Sequence, residues 1–315
     1  MMLAFPCCLF LATWLCPQPA LAANAPALLQ ESSDAAQEPD DGHTQKRPQE
    51  EQKKAFDRLK SPDKKKLQAA IRLIEKGDPE EGEIAAGIAQ AKELGEAAIP
   101  LLLTSVSRLE KAERVEHLWT CLDALLHDGH LHLAWDLRKK KSPLVLDVYM
   151  LRRYSDASRK DSRMFLEEQL ALLEKEKEEA RKKALHYEIA RGLAFRGQAD
   201  QLDAIDAVIQ ADWLTRAQEL RADFAGINRK PLAEKAAEYL QRRPRKEKIA
   251  SLHLFELFGE KEQAKKLLHF LSESDTSIRL AAIDACRVVV DGEPPLNKPS
   301  MTEIIERAES WKSRL

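Results

Sequence analysis

Ser274-Asp275-Thr276-Ser277-Ile278-Arg279-Leu280-Ala281-Ala282-Ile283-Asp284-Ala285-Cys286 is the stretch on which the fold turns. Ile278, Ile283 and Cys286 line a helix here, and Ala264 and Leu268 open the helix before it. Upstream, Ala236 and Leu240 open another helix, and Ile249, Leu254 and Leu257 line its successor. The offset is the same both times, 264 − 236 = 28 and 268 − 240 = 28. A period near 30 with two helices and short turns predicts an α-solenoid, because one helix pair cannot bury its apolar face alone and neighbours must stack.

Composition agrees with a helical chain. Glycine supplies only 11 of 315 residues and charged residues 32%, a pattern rich in strong helix formers. Lys plus Arg (50) and Asp plus Glu (52) leave a net charge of −2, so no global field draws the chain to nucleic acid or anionic lipid. From Phe56 onward apolar residues recur at helical spacing. Ser61-Pro62-Asp63 reads as a cap residue followed by Pro at the first helical position. Further helices are expected over Ala98–Leu109, Val115–Leu126, Leu131–Lys140, Pro143–Tyr154, Asp161–Lys177 and Ala180–Phe195, and then through the final third over Leu202–Ile209, Trp213–Phe224, Pro231–Arg242, Lys246–Phe258, Lys261–Leu271, Ser277–Val290 and Thr302–Leu315. One β-rich patch, Leu144 to Tyr149, reads as a buried helix among helices.

The residues of the opening stretch resemble the HEAT-repeat superfamily. In that pattern a turn Asp precedes a buried aliphatic, an Arg and small packing residues, as in 274–286. Leu94-Gly95-Glu96-Ala97-Ala98-Ile99-Pro100-Leu101-Leu102 is similar to a first helix of such a unit, Pro included. The resemblance covers 90–126 and 234–291 and is weak over 127–233, which read as degenerate repeats, TPR-like pairs or an irregular bundle. It implies an all-α, right-handed α-solenoid of stacked antiparallel helix pairs with a less regular middle. It also implies a surface for protein binding or scaffolding.

The N-terminus reads as an address. Met1 to Ala22 carries no charged residue, runs apolar from Leu3 to Leu15 and ends in the small-x-small triplet Ala20-Leu21-Ala22. This predicts a secretory signal peptide over 1–22 and an exported chain, periplasmic or extracellular. Pro6, Pro17 and Pro19 interrupt a run already too short to span a bilayer. Residues 23–54 hold Pro26, Pro39 and Pro48 and few large apolar residues beyond Leu28 and Leu29. They read as a disordered spacer, which leaves 55–315 as the helical-repeat domain. Beyond the leader, Cys121 and Cys286 remain, 165 positions apart. They are expected as two buried thiols.

Few constellations point to chemistry. His117, His127, His130 and His132 fall within sixteen residues, with Cys121, Asp123 and Asp128 among them. Their spacing matches no metal-binding motif, so they are weak metal candidates, and no cofactor is implied. Arg138, Lys139, Lys140 and Lys141 begin a basic cluster that continues through Arg152, Arg153, Arg159, Lys160 and Arg163. Tyr149 and Tyr154 lie among them. Arg and Tyr suit a protein interface, so Arg138, Lys139, Tyr149, Arg152, Arg153 and Tyr154 are the expected partner-contacting residues. Glu174 to Lys183 reads as an exposed helix stiffened by pairs such as Glu178 with Lys182. Trp119, Trp135, Trp213 and Trp311 are expected in helix packing. His186-Tyr187-Glu188 and His253-Leu254-Phe255-Glu256 are acid–base neighbours at chance frequency. No G-x-G-x-x-G, P-loop, G-x-S-x-G or H-E-x-x-H motif occurs. The sequence therefore favours a non-catalytic scaffold or adaptor. The alternative is a helical carbohydrate-active or metal-dependent enzyme of the cell envelope, its catalytic residues spread over distant helices.

Overall fold

The structure, a computed structural model, describes residues 55–78, 80–108, 112–138, 142–157 and 161–315. The expected signal peptide and spacer lie outside these residues. The described chain is all-helical and contains no strand among the described residues. Its α-helices are α1 (Ser61–Lys76), α2 (Glu83–Glu93), α3 (Ile99–Val106), α4 (Ala112–Leu125), α5 (Leu131–Leu137), α6 (Leu144–Asp156) and α7 (Ser162–Leu173). They continue with α8 (Glu179–Ala194), α9 (Leu202–Asp223), α10 (Lys230–Tyr239), α11 (Arg245–Phe258), α12 (Leu268–Leu271), α13 (Thr276–Cys286) and α14 (Met301–Arg314).

The β-rich patch is helix α6, as its place among helices suggests. Three details differ from the sequence reading. Ser61 is the first residue of α1 rather than its cap, and Lys60 holds the cap position without a side-chain bond. The charged run 174–183 is not one exposed helix, because α7 ends at Leu173 and α8 begins at Glu179. Glu176 fills that break: its carboxylate accepts from the Lys177 and Glu178 amides and pairs with Arg181 at 3.2 Å. Lys261–Leu267 forms a 3-10 turn before the short α12. As the sequence suggests, α9 is two helical segments, joined at Asp212, whose backbone (φ −155°, ψ 50°) is not helical. The Thr215 hydroxyl donates to the Asp212 carboxylate there.

Successive helices pack in pairs: α1 on α2, α3 on α4, α5 on α6, α7 on α8, α10 on α11 and α12 on α13. The second members also pack on one another, α2 on α4, α6 on α8, α8 on α9, α9 on α11 and α11 on α13. Close approach needs small residues. Gly192 of α8 faces α6 and α7, where an added Cβ would lie 2.6 Å from Leu166 Cδ1 and would also strike Ser155.

The core is a succession rather than one centre. One apolar cluster runs from α1 to α8, the next from α8 to α11, and the last from α10 to α14. Helix α8 belongs to two of them, Leu185, Ile189 and Leu193 to one and Tyr187, Ala190 and Ala194 to the next. Trp311 of α14 is buried against the last cluster. Cys121 and Cys286 are free and buried. Burial pushes their thiols up, to about 11 and about 12, against nearby Lys92 and Arg314 respectively. No helix among the described residues is long and apolar enough to cross a membrane.

Candidate functional site

From α6 onward, the helices that stack on one another carry a polar side chain at a fixed place. Counting from their first residues (144, 179, 213 after the break in α9, 245 and 276), the ninth residues are Arg152, Tyr187, Arg221, His253 and Asp284. A helix of 3.6 residues per turn places equal positions on equal faces, so stacking brings these groups toward one another. The result is a polar track.

Arg152 donates to Glu188 (3.3 Å) and Asp223 (3.2 Å) and lies 3.8 Å from Glu219. Tyr187 donates to the same Asp223 at 2.9 Å. Arg221 donates to the fully buried Glu256 at 2.6 Å, and His253 Nδ1 lies 3.4 Å from that carboxylate's other oxygen. Asp284 accepts from the Leu296 amide at 2.8 Å.

Burial and charge pull these groups in opposite directions. Burial alone would lower Arg152, but Glu188 and Asp223 hold it above its ordinary range. Burial raises Glu188 despite Arg152 and Arg191. It also lowers His253, against the pull of Glu256. Burial opposes ionisation of Glu256, but hydrogen bonds from His253 and Arg221 keep it below the usual carboxylate range. Asp284 is pushed up to about 6 by burial, with the Leu296 amide only partly offsetting it. Clusters of buried groups with shifted protonation mark functional sites more often than chance.

The track ends in a groove of about 510 Å³ between the break in α9, α11 and α13. His253 and Asp284 are part of its lining. Trp213 stacks on His253, ring centroids 4.0 Å apart.

The residues expected to meet a partner are mostly engaged by the protein itself. Arg138 pairs with the buried Asp147 at 2.6 Å and lies over the Trp135 ring at 3.5 Å. Asp147 also receives Ser142 and Arg181. Tyr149 stacks on Trp119 at 4.1 Å and donates to Asp123. Arg153 donates to the Leu126 carbonyl at 2.7 Å and pairs with Asp123. Tyr154 is fully buried, stacked on Phe165, and so is a core residue rather than a surface one. Lys139 lies outside the described residues. Basic side chains that look free in one dimension here meet carboxylates 9 to 71 positions away.

The histidines do not converge. His130 Nε2 lies 3.2 Å from Glu96. His132 spends one ring nitrogen on Asp161 (2.8 Å) and the other on Tyr154 (2.9 Å). His127 is exposed, its ring 6.0 Å from that of His130, and His117 is half-buried. No group of three His, Cys, Asp or Glu side chains suited to a metal ion occurs among the described residues.

The sequence reading passed over His253, Asp284 and Trp213 as site residues. For His253 and Asp284 the signal is the recurring ninth position, which shows only once the helix starts are known; Trp213 opens its segment and carries no such signal. Comparison with family models, curated proteins and solved structures finds no match for this chain.

Proposed function

We propose that this chain is an exported, non-catalytic scaffold, an α-solenoid of HEAT-like helix pairs that binds a protein partner along its layer of second helices. The observation that carries this reading is the stacking of α6 on α8, α8 on α9, α9 on α11 and α11 on α13, with a groove at the end of their polar track. The succession of core clusters that share helices supports it, because solenoid repeats bury surface only against neighbours. The step from architecture to binding is analogy, since fold alone does not fix function. Export follows from the apolar, uncharged leader and its Ala20-Leu21-Ala22 end.

Two measurements test the proposal. Small-angle scattering of residues 55–315 should give a radius of gyration well above the ~18 Å of a compact domain of that length; a value near 18 Å overturns the solenoid. A photo-crosslinking residue at position 214 should trap a discrete protein in the native envelope, whereas one at position 172 on α7 should not. Absence of any adduct at 214 overturns the binding reading.

A second reading, a carbohydrate-active enzyme of the envelope, draws on His253 and Asp284 in one groove. It expects polysaccharide cleavage by the wild type and none by Asp284→Asn.

A further inference from the structure

This inference rests on the protein-binding reading and names what the groove takes. The groove is amphipathic along its length. Lys246, Ile249 and His253 of α11 run parallel to Leu280 and Asp284 of α13, and Trp213 with Leu214 forms the third wall. From Lys246 to His253 is seven residues, about 10 Å at a rise of 1.5 Å. The two ends differ in charge.

At one end Lys246 is exposed and meets no carboxylate among the described residues. At the other, Asp284 is only 7% exposed. Its Oδ1 holds the Leu296 amide, while its Oδ2 has no donor among the described residues. Arg221, the nearest cation on α9, is committed to Glu256. Asp284 Oδ2 is not sealed from solvent, and Asp284 lines the groove, so a cation seated there can reach it. Between the two ends lies apolar surface, including Leu214, which is 96% exposed.

We propose that this groove receives a Lys or Arg side chain from an extended segment of the partner. Its methylene stem lies along Leu214, Ile249 and Leu280, and its terminal cation donates to Asp284 Oδ2. Long basic side chains bury their stems and pair their heads in this way. A carboxylate next to that residue on the partner meets Lys246. An aromatic anchor would fill the apolar part but leave Asp284 without a donor. An acidic anchor would be repelled by Asp284, and Arg245, the other cation of the lining beside Lys246, is already held by Asp275.

The probe is a displayed library of random dodecapeptides, selected on the immobilised full chain. Peptides enriched by the wild type should carry Lys or Arg beside a bulky apolar residue. They should bind Asp284→Asn at least about tenfold more weakly, the scale expected when one member of a buried charge pair is removed. Leu214→Glu, at a side chain too exposed to affect folding, should also weaken them, and Leu172→Glu on α7 should not. Enriched peptides without a basic residue, or equal binding to Asp284→Asn, overturn the groove assignment while leaving the protein-binding reading intact. If no peptide is retained, this inference is overturned, and the crosslink at position 214 decides separately whether a protein partner exists.

Discussion

Asp284 is a carboxyl group folded into a place that disfavours its charge. The Leu296 amide, Glu256 of α11, Arg221 of α9 and Arg287 just past α13 all act on it, and burial dominates them. Its value rises from 3.8 to about 6. The native state therefore holds this proton more tightly than the unfolded chain does. Asp284 costs stability above pH 6, and the cost fades as the pH falls toward 4. The difference, about two units, corresponds to at most about 3 kcal/mol. Asp284→Asn keeps an oxygen for the Leu296 amide and loses the charge. We expect it to melt higher than the wild type at pH 7.5, with the gap closing by pH 4.5. Comparing the two proteins at each pH cancels His253, whose own protonation acts in the opposite sense. Identical melting at pH 7.5 would show that Asp284 is not held against its charge. A carboxylate retained at such a cost fits a residue kept for binding.

Between elements, single side chains set how helices meet. Arg196, just past the end of α8, donates to the carbonyls of Tyr154 (3.0 Å), Ser155 (3.1 Å), Ala157 (2.9 Å) and Gly192 (2.6 Å). It thereby closes the C-terminus of α6, whose last carbonyls have no partner within the helix. Arg196→Ala should cost about 2–3 kcal/mol in urea unfolding, because part-buried carbonyls lose their donors. Arg196→Lys should recover only part of that, since an ammonium lacks the planar fork. Arg152 acts across three helices. Reversing it to Glu would set a fourth carboxylate among Glu188, Glu219 and Asp223. The expected outcome is loss of the folded state or destabilisation above about 3 kcal/mol, read by circular dichroism. A folded Arg152→Glu with unchanged melting would mean that the pairing contributes little. The sequence reading took Arg152 for a surface residue because its carboxylates lie 36, 67 and 71 positions along the chain.

For the whole molecule, the core arrangement sets how instability spreads. The last cluster holds Phe270, fully buried, together with residues of α10 to α14. It shares no residue with the first, which runs from α1 to α8. When neighbours supply all the stabilisation, a local loss stays local. Phe270→Ala, a truncation worth about 3–5 kcal/mol, should therefore raise amide exchange in α10 to α14 and leave α1 and α2 protected. Uniform acceleration across the chain would show one cooperative core instead.

What the sequence determined by itself is the helical class and much of the helix placement. Those depend on contacts three and four residues apart, visible as Leu67, Ile71 and Ile74 in α1 or Ile278, Ile283 and Cys286 in α13. Helix ends were less legible where a local side chain competed, as Glu176 does at the break before α8. Burial of Cys121 and Cys286 was also readable, since each sits on an apolar helical stripe. Only the tertiary structure decided which charges are free. Arg152, Arg153 and Arg138 form a basic cluster in the chain but meet Glu188, Asp123 and Asp147 in space, while Lys246 does not meet a carboxylate among the described residues. Likewise His253 and Asp284 are 31 positions apart and share a groove only because α11 and α13 stack in register. Helix formation is local and leaves a local pattern. The pairing of a charge, and the closing of a groove, depend on which helices become neighbours, and packing of the whole chain sets that.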